Sequence, residues 1–224
     1  QRNLLVRHLE HERRLAALGE MSAVLAHEIR NPLASLKGHA QLLARALDGD
    51  AARAAKAELV VREAVRLQDL ANDLLDFAGS NGPDLRDTDP AELLRESAEV
   101  VAASGIDLRV ATSPPSWRLD ATRMRQALVN VLRNAVQASA GGAHVEASAF
   151  LERDRLVFEV RDHGPGIAPG DEERIFEPFH TRKLRGTGLG LPIARRAVEQ
   201  QSGTIAARNL PGGGACFRIT MART

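Results

Sequence analysis

A chain of 224 residues with 30 basic and 29 acidic side chains, net charge +1, has the length of one large domain or two small ones. It shows no charge excess for neutralising a run of phosphates, so nucleic-acid binding is set aside. The single cysteine, Cys216, excludes an internal disulfide and a cysteine-rich metal site. With no apolar run of membrane-spanning length, it points to a cytoplasmic, reducing setting and to a stretch without membrane contact. With Gln1 as its first residue, the chain is expected to be a fragment of a longer protein whose N-terminal sensory or membrane part is missing.

Residues 1 to about 79 are rich in Ala, Leu, Arg and Glu and hold one proline, Pro32. They read as two long helices broken near Asp48-Gly49-Asp50, with a charged coiled-coil lead-in over Leu4 to Leu18. Leu36, Ala40, Leu43 and Leu47 follow a 4-3-4 spacing, and Val60, Ala64, Leu67, Ala71, Leu74 and Ala78 continue the pattern on the second helix. Two helices with such narrow stripes cannot close a core alone, and the simplest remedy is a homodimeric four-helix bundle. On the first helix, His27-Glu28-Ile29-Arg30-Asn31-Pro32-Leu33 sets an imidazole beside a carboxylate, with an amide four residues on. His27 lies roughly 160° around the helix from Leu25 and Ile29, away from the seam. That is the position of a nucleophile, and equally of a solvated surface histidine. Pro32 removes a backbone donor and should bend the helix just past His27.

Ser80-Asn81-Gly82-Pro83 has linker composition, and the boundary is placed there: 1–79, a linker over 80–88, and a second domain over 89–224. The second domain is expected to hold a helix from about Pro90 to Ala103, a short strand near Asp107 to Ala111, and a helix over Ala121 to Ala138 capped by Asp120. A hairpin follows over Val145 to Leu151 and Leu156 to Arg161. A last helix over Leu189 to Gln201 precedes strands at Thr204 to Arg208 and Ala215 to Met221. This order suggests an α+β chain, its second half an α/β sandwich with one sheet face covered.

Four segments carry chemistry together. Asn130, Asn134 and Gln137 recur at i, i+4 and i+7 on one helix face. Amides buried among Leu128, Val131, Leu132 and Ala135 would need partners, which a metal–phosphate group could supply, since an amide oxygen is a hard ligand suited to magnesium. A helix whose polar residues face water has the same spacing. Asp162-His163-Gly164-Pro165-Gly166-Ile167 follows a strand; its carboxylate could accept from an exocyclic amine and its glycines allow a flat ligand close, although an ordinary turn reads the same way. Gly186-Thr187-Gly188-Leu189-Gly190-Leu191 opens the last helix and offers amides to an anion. It matches neither the Walker pattern nor a dinucleotide fingerprint. Between the last two, Ile175-Phe176-Glu177-Pro178-Phe179 with Thr181-Arg182-Lys183 reads as a hinged lid carrying cations toward phosphates.

In this order and spacing the five motifs resemble those of the two-component sensor histidine kinases, and the likeness spans essentially the whole chain. His27 to Leu33 is similar to that family's H-box, Asn130 to Asn134 to its N-box, Asp162 to Gly166 and Gly186 to Leu191 to its two glycine boxes, and Phe176 to Lys183 to its phenylalanine box. The Phe-Glu-Pro-Phe lid looks closest to the nitrogen-regulation type. The resemblance implies a helical hairpin forming a dimeric four-helix bundle, followed by an ATP-binding domain of the Bergerat type shared with chaperone ATPases. It implies ATP-dependent phosphorylation of His27, with Glu28 as orienter and general base, and transfer of the phosphoryl group to an aspartate of a response-regulator receiver domain. Asn31 would orient water for dephosphorylating that partner. Asn134, beside Asn130, would carry Mg2+; Asp162, with Gly164 and Gly166 in its loop, would hold the adenine amino group. Thr187, Gly188, Leu189 and Gly190 would hold phosphates, with Lys183 as lid cation. His180, Arg182 and Ala215 depart from the usual pattern. Serine kinases and ATPase clamps share the nucleotide fold but lack a histidine-bearing hairpin, and a degenerate dimeric scaffold would lack the chemistry.

Overall fold

The structure, a computed structural model, describes residues 33–43, 51–78, 82–101, 106–110, 114–139, 144–181 and 187–223. It divides into two compact units, Gln1–Asn81 and Gly82–Thr224.

In the first unit residues 33–43 are helical (α1), and Ala51–Ala78 form the 28-residue helix α2. Alanines make up the buried part of each: Ala40 on α1, and Ala57, Ala64 and Ala71, seven residues apart, on α2. In a single chain these positions are buried by the chain itself, and a heptad of small residues permits close helix approach. The bulky members of the same stripes stay out in water: Leu36, Leu43, Val60 and Leu67 are 40–54% exposed. The lead-in before residue 33, the bend at Pro32 and the break at Asp48-Gly49-Asp50 lie outside the described residues. No helix among the described residues is long and apolar enough to cross a membrane.

The second unit begins with β1 (Arg86–Thr88), which pairs antiparallel with β3 (Trp117–Leu119) in register Arg86↔Leu119. β1 falls in the stretch that composition marked as linker; a three-residue polar strand carries no alternation to betray it. Helix α3 (Pro90–Val101) starts at a proline, whose fixed φ suits the first helical position, and Asp89 Oδ1 accepts from the N–H groups of Ala91 and Glu92. β2 (Ile106–Val110) runs parallel to β4 (Val145–Glu152). β4 and β5 (Arg155–Arg161) form a hairpin closed by Arg153 and Asp154, both at positive φ (47° and 60°), the conformation that a two-residue type I′ turn demands. Helix α4 (Ala121–Ala138) follows β3, helix α5 (Gly190–Glu199) follows the lid segment, and β6 (Gly203–Asn209) and β7 (Ala215–Met221) close the chain. The sheet order is β2-β4-β5-β7-β6, antiparallel except for the first pair.

One sheet face is covered by helices, as the sequence suggested. Leu156, Phe158 and Val160 of β5 and Phe217, Ile219 and Met221 of β7 pack with Leu93 and Leu94 of α3, Leu128, Val131 and Leu132 of α4, and Ala194 and Val198 of α5. The alternate β5 residue Glu159, only 4% exposed, is offset by Arg161 at 2.6 Å and Arg218 at 3.4 Å, which supplies the pairing a buried carboxylate needs. Nearby, burial and then the Glu159 carboxylate push the Cys216 thiol up, so this cysteine stays protonated and apolar.

Asp120 ties several pieces together at the start of α4. Its Oδ1 accepts from Arg123 N at 3.0 Å as the N-cap, its Oδ2 accepts from Asp84 N at 3.0 Å and Arg123 Nε at 3.1 Å, and its own N–H donates to Gln201 Oε1 at 2.7 Å. A single capping residue thus links the segment before β1, α4 and the turn after α5.

Candidate functional site

Asp162 sits where β5 ends, 1% exposed. β7 fixes it, because Asp162 N donates to Ala215 O (2.9 Å) while Ala215 N donates back to Asp162 Oδ1 (3.1 Å). The same Oδ1 accepts from Gly164 N at 2.9 Å, so backbone geometry alone sets the carboxylate's direction. Among the described residues nothing donates a hydrogen bond to Oδ2. A buried carboxylate with one oxygen committed and one available is a ready acceptor for an N–H2 group.

The loop after Asp162 lies against the end of α4. A side chain at Gly164 would put a Cβ 2.6 Å from Ala138 O, so only glycine allows the approach, and His163 N donates to Ser139 Oγ at 3.3 Å. On α4 itself Asn130 and Asn134 are half-buried and Gln137 is exposed. The amide face is thus neither sunk in the core nor, at Asn130 and Asn134, fully open to water. Gly190, the first residue of α5, places no side chain over Asn130, and its Cβ direction points to Asn130 Oδ1 at 3.8 Å.

Phe179 N donates to Gly188 O at 2.9 Å, and a Cβ on Gly188 (φ +68°) would lie 2.6 Å from the Phe179 carbonyl carbon. Phe179 is itself at φ +64° and 59% exposed, a conformation costing about 1–2 kcal/mol for a non-glycine residue. Before it, buried Phe176 lies under the Arg195 guanidinium of α5 at 5.4 Å. After it, His180 Nε2 sits 3.5 Å from Asp171 Oδ2, whose Oδ1 faces Arg174 at 3.3 Å. His180, a departure from the resembled pattern, therefore faces a carboxylate at the lid's stem. Downstream, Thr187 Oγ1 accepts from Leu189 N at 3.2 Å; Leu189, the N-cap of α5, is fully buried and makes no side-chain cap bond. The opening turn of α5 is thus shaped by Thr187, Gly188, Leu189 and Gly190, and first-turn amides favour an anion.

Of the residues singled out in the sequence, Asn130, Asn134, Asp162, Gly164, Gly166, Thr187, Gly188, Leu189 and Gly190 fall within the second unit; Gly190 lies against Asn130, and the Asp162 loop lies against the end of α4 at Ala138 and Ser139. Lys183 lies outside the described residues, as do His27, Glu28 and Asn31. Among the described residues no cluster of three or more His, Cys, Asp or Glu side chains could cage a metal. Magnesium commonly keeps waters and phosphate oxygens and takes few protein ligands, so Asn134 with a bound triphosphate fits that donor set. The sequence did not reveal Ser139, Asn209 or Gly214 as parts of the site. Asn209 reaches the loop from 42 residues away in sequence, too far for any local pattern.

Two family models match the chain: the His Kinase A (phospho-acceptor) domain over residues 17–82, and the histidine kinase-, DNA gyrase B- and HSP90-like ATPase over residues 119–224. Sensor histidine kinase ZraS of Escherichia coli O157:H7 is 34% identical over 224 residues, covering 97% of this chain and 49% of that protein. Sensor protein kinase PilS of Pseudomonas aeruginosa is 32% identical, covering 93% and 41%. The chain thus spans about half the length of the curated relatives it matches. Among solved structures, full-length ShkA in complex with AMPPNP aligns with TM-score 0.75 and 31% identity over 92% of this chain and 46% of that one. Histidine kinase ThkA in complex with response regulator protein TrrA aligns with TM-score 0.69 and 25% identity over 95% and 64%.

Proposed function

The chain belongs to the sensor histidine kinases of two-component systems, and on that footing we propose that it transfers the γ-phosphoryl group of ATP to His27 and then to an aspartate of a response regulator. The observation that carries this reading is the pairing, in one chain, of a phosphoacceptor match over 17–82 with an ATPase match over 119–224. Enzymes that share only the nucleotide fold are not expected to carry the first. Residues 1–79 serve as the dimerisation and phosphotransfer part and 89–224 as the ATP-binding part.

Asp162 accepts from the adenine amino group, and the opening of α5 at Gly188 and Gly190 receives the phosphates. Asn134, beside Asn130, would hold magnesium through its amide oxygen, and the ion would supply positive charge against the phosphates when bound. Lys183 brings a further cation on the lid. One ring nitrogen of His27 attacks the γ-phosphorus in line, the bond to the bridging oxygen breaks, and ADP leaves. The other ring nitrogen sheds its proton toward Glu28. An imidazole with an ordinary value near 6.5 is largely neutral, hence nucleophilic, at neutral pH. Asn31 orients water for removing the phosphoryl group from the regulator. The closer likeness to nitrogen-regulation kinases rests on Phe176-Glu177-Pro178-Phe179 and the short gap from it to Gly186.

A phosphotransfer chase tests the reading. Chain labelled from γ-labelled ATP should lose its label to a cognate receiver domain, and Asn31→Ala should label normally but leave the receiver phosphorylated several-fold longer. No transfer to any receiver in a full panel sinks the regulator assignment; unchanged decay with Asn31→Ala sinks the phosphatase one.

A further inference from the structure

We infer that Asn209 is a positioning residue for the purine end of the nucleotide site; the inference rests on the nucleotide reading above. Asn209 is the last residue of β6 and makes no part of the motifs that mark the site in the sequence. Its side-chain amide spends both of its ends on one distant residue: Oδ1 accepts from Ile167 N at 2.6 Å, and Nδ2 donates to Ile167 O at 2.8 Å. The side chain thus substitutes for a strand partner, satisfying both backbone groups of a loop residue that has no ladder of its own. The fit is close, since a Cβ on Gly166 (φ +78°) would stand 2.6 Å from Asn209 Oδ1.

The register of the last hairpin gives this clamp its meaning. Asn209 pairs directly with Ala215, the first residue of β7. Ala215 is the residue whose backbone exchanges hydrogen bonds with Asp162, so the closing pair of one hairpin grips both ends of the loop 162–167. The turn between them is built of Gly212, Gly213 and Gly214, all at positive φ, and Gly214 lies so near the Asp162 carbonyl that a side chain would collide with it. Between its ends the loop is held, among the described residues, by the Gly164 N to Asp162 Oδ1 bond, the His163 N to Ser139 Oγ bond at 3.3 Å, and the contact of the His163 Nδ1 with the His144 carbonyl oxygen at 2.8 Å.

Asn209 therefore acts through Ile167. Without it the far end of the loop is released, and with it the Gly164 N–H that helps aim the Asp162 carboxylate, leaving that oxygen to Ala215 N alone. The loss should fall on the base and not on the phosphates, and it should blur the choice of adenine over guanine, which presents a carbonyl oxygen where adenine presents an amine donor. Binding of ATP, GTP and inorganic tripolyphosphate to the whole chain, read by calorimetry alongside thermal melting, tests this. Asn209→Ala should weaken ATP roughly ten-fold, the scale of two exposed hydrogen bonds. The ATP-to-GTP preference should shrink, tripolyphosphate should stay within about twofold, and the labelling rate at saturating ATP should hold. Asn209→Asp keeps the shape and the acceptor, guards against a variant that fails to fold, and should fall between the two. ATP affinity unchanged in Asn209→Ala, equal losses of ATP and tripolyphosphate, or a lower melting temperature with an unaltered ATP-to-GTP ratio overturns the inference. A wild-type chain that binds no ATP overturns the nucleotide reading, and this inference with it.

Discussion

Asp162 shows how little of a buried carboxylate's setting belongs to its own side chain. Two backbone N–H groups, from Gly164 and Ala215, hold one oxygen and leave the other to a ligand. Asp162→Asn preserves the volume and can keep Oδ1 as acceptor, but it turns an amide donor toward the adenine amine. Loss of one charge-assisted hydrogen bond costs about 1.5–3 kcal/mol, so ATP should bind roughly ten- to hundred-fold more weakly with little change in melting. Calorimetric titration checks this, and unaltered affinity would remove Asp162 from the site. The residue was legible in the sequence because an acid at a strand end, followed by Gly-Pro-Gly, is a local pattern. Asn209 was not, because its partner is Ile167, brought to it only by the pairing of β5 with β7 and of β7 with β6.

At the scale of elements, short-range chemistry decided which boundaries could be read. Helix α4 runs over Ala121–Ala138 as expected, since Asp120 caps it and its apolar face repeats at helical spacing. The β4–β5 hairpin was visible from alternation, although its Arg-Asp turn lacks the usual glycine. β1 and β3 escaped because three residues each give periodicity nothing to act on. The spacing of the α4 amides left a ligand-bonded face and a water-facing one both open, because exposure depends on what lies opposite, and opposite Asn130 lies Gly190. Asp120 carries more than a cap, since Oδ2 also accepts from Asp84 N and Arg123 Nε. Asp120→Ala should therefore cost about 2 kcal/mol, more than an ordinary cap, and lower the melting temperature by roughly 4–8 °C. An unchanged melt would show that these contacts add nothing to stability.

For the whole molecule, the first unit leaves Leu36, Leu43, Val60 and Leu67 about half exposed while Ala40, Ala57, Ala64 and Ala71 are buried. Burying each bulky side chain against a second copy is worth about 1.5–3 kcal/mol, which favours a dimer through α1 and α2. Sedimentation should give twice the chain mass, and Leu43→Glu with Leu67→Glu should return it to one; a wild-type monomer at micromolar concentration would refute the bundle. The central claim is that this molecule carries phosphate on a histidine, and the stability of the protein-bound label tests that most directly. After incubation with magnesium and γ-labelled ATP, the label should be lost in acid, survive alkali, and be absent from His27→Gln while that variant still binds ATP. An acid-stable label on serine, or a label that persists in His27→Gln, would contradict the account.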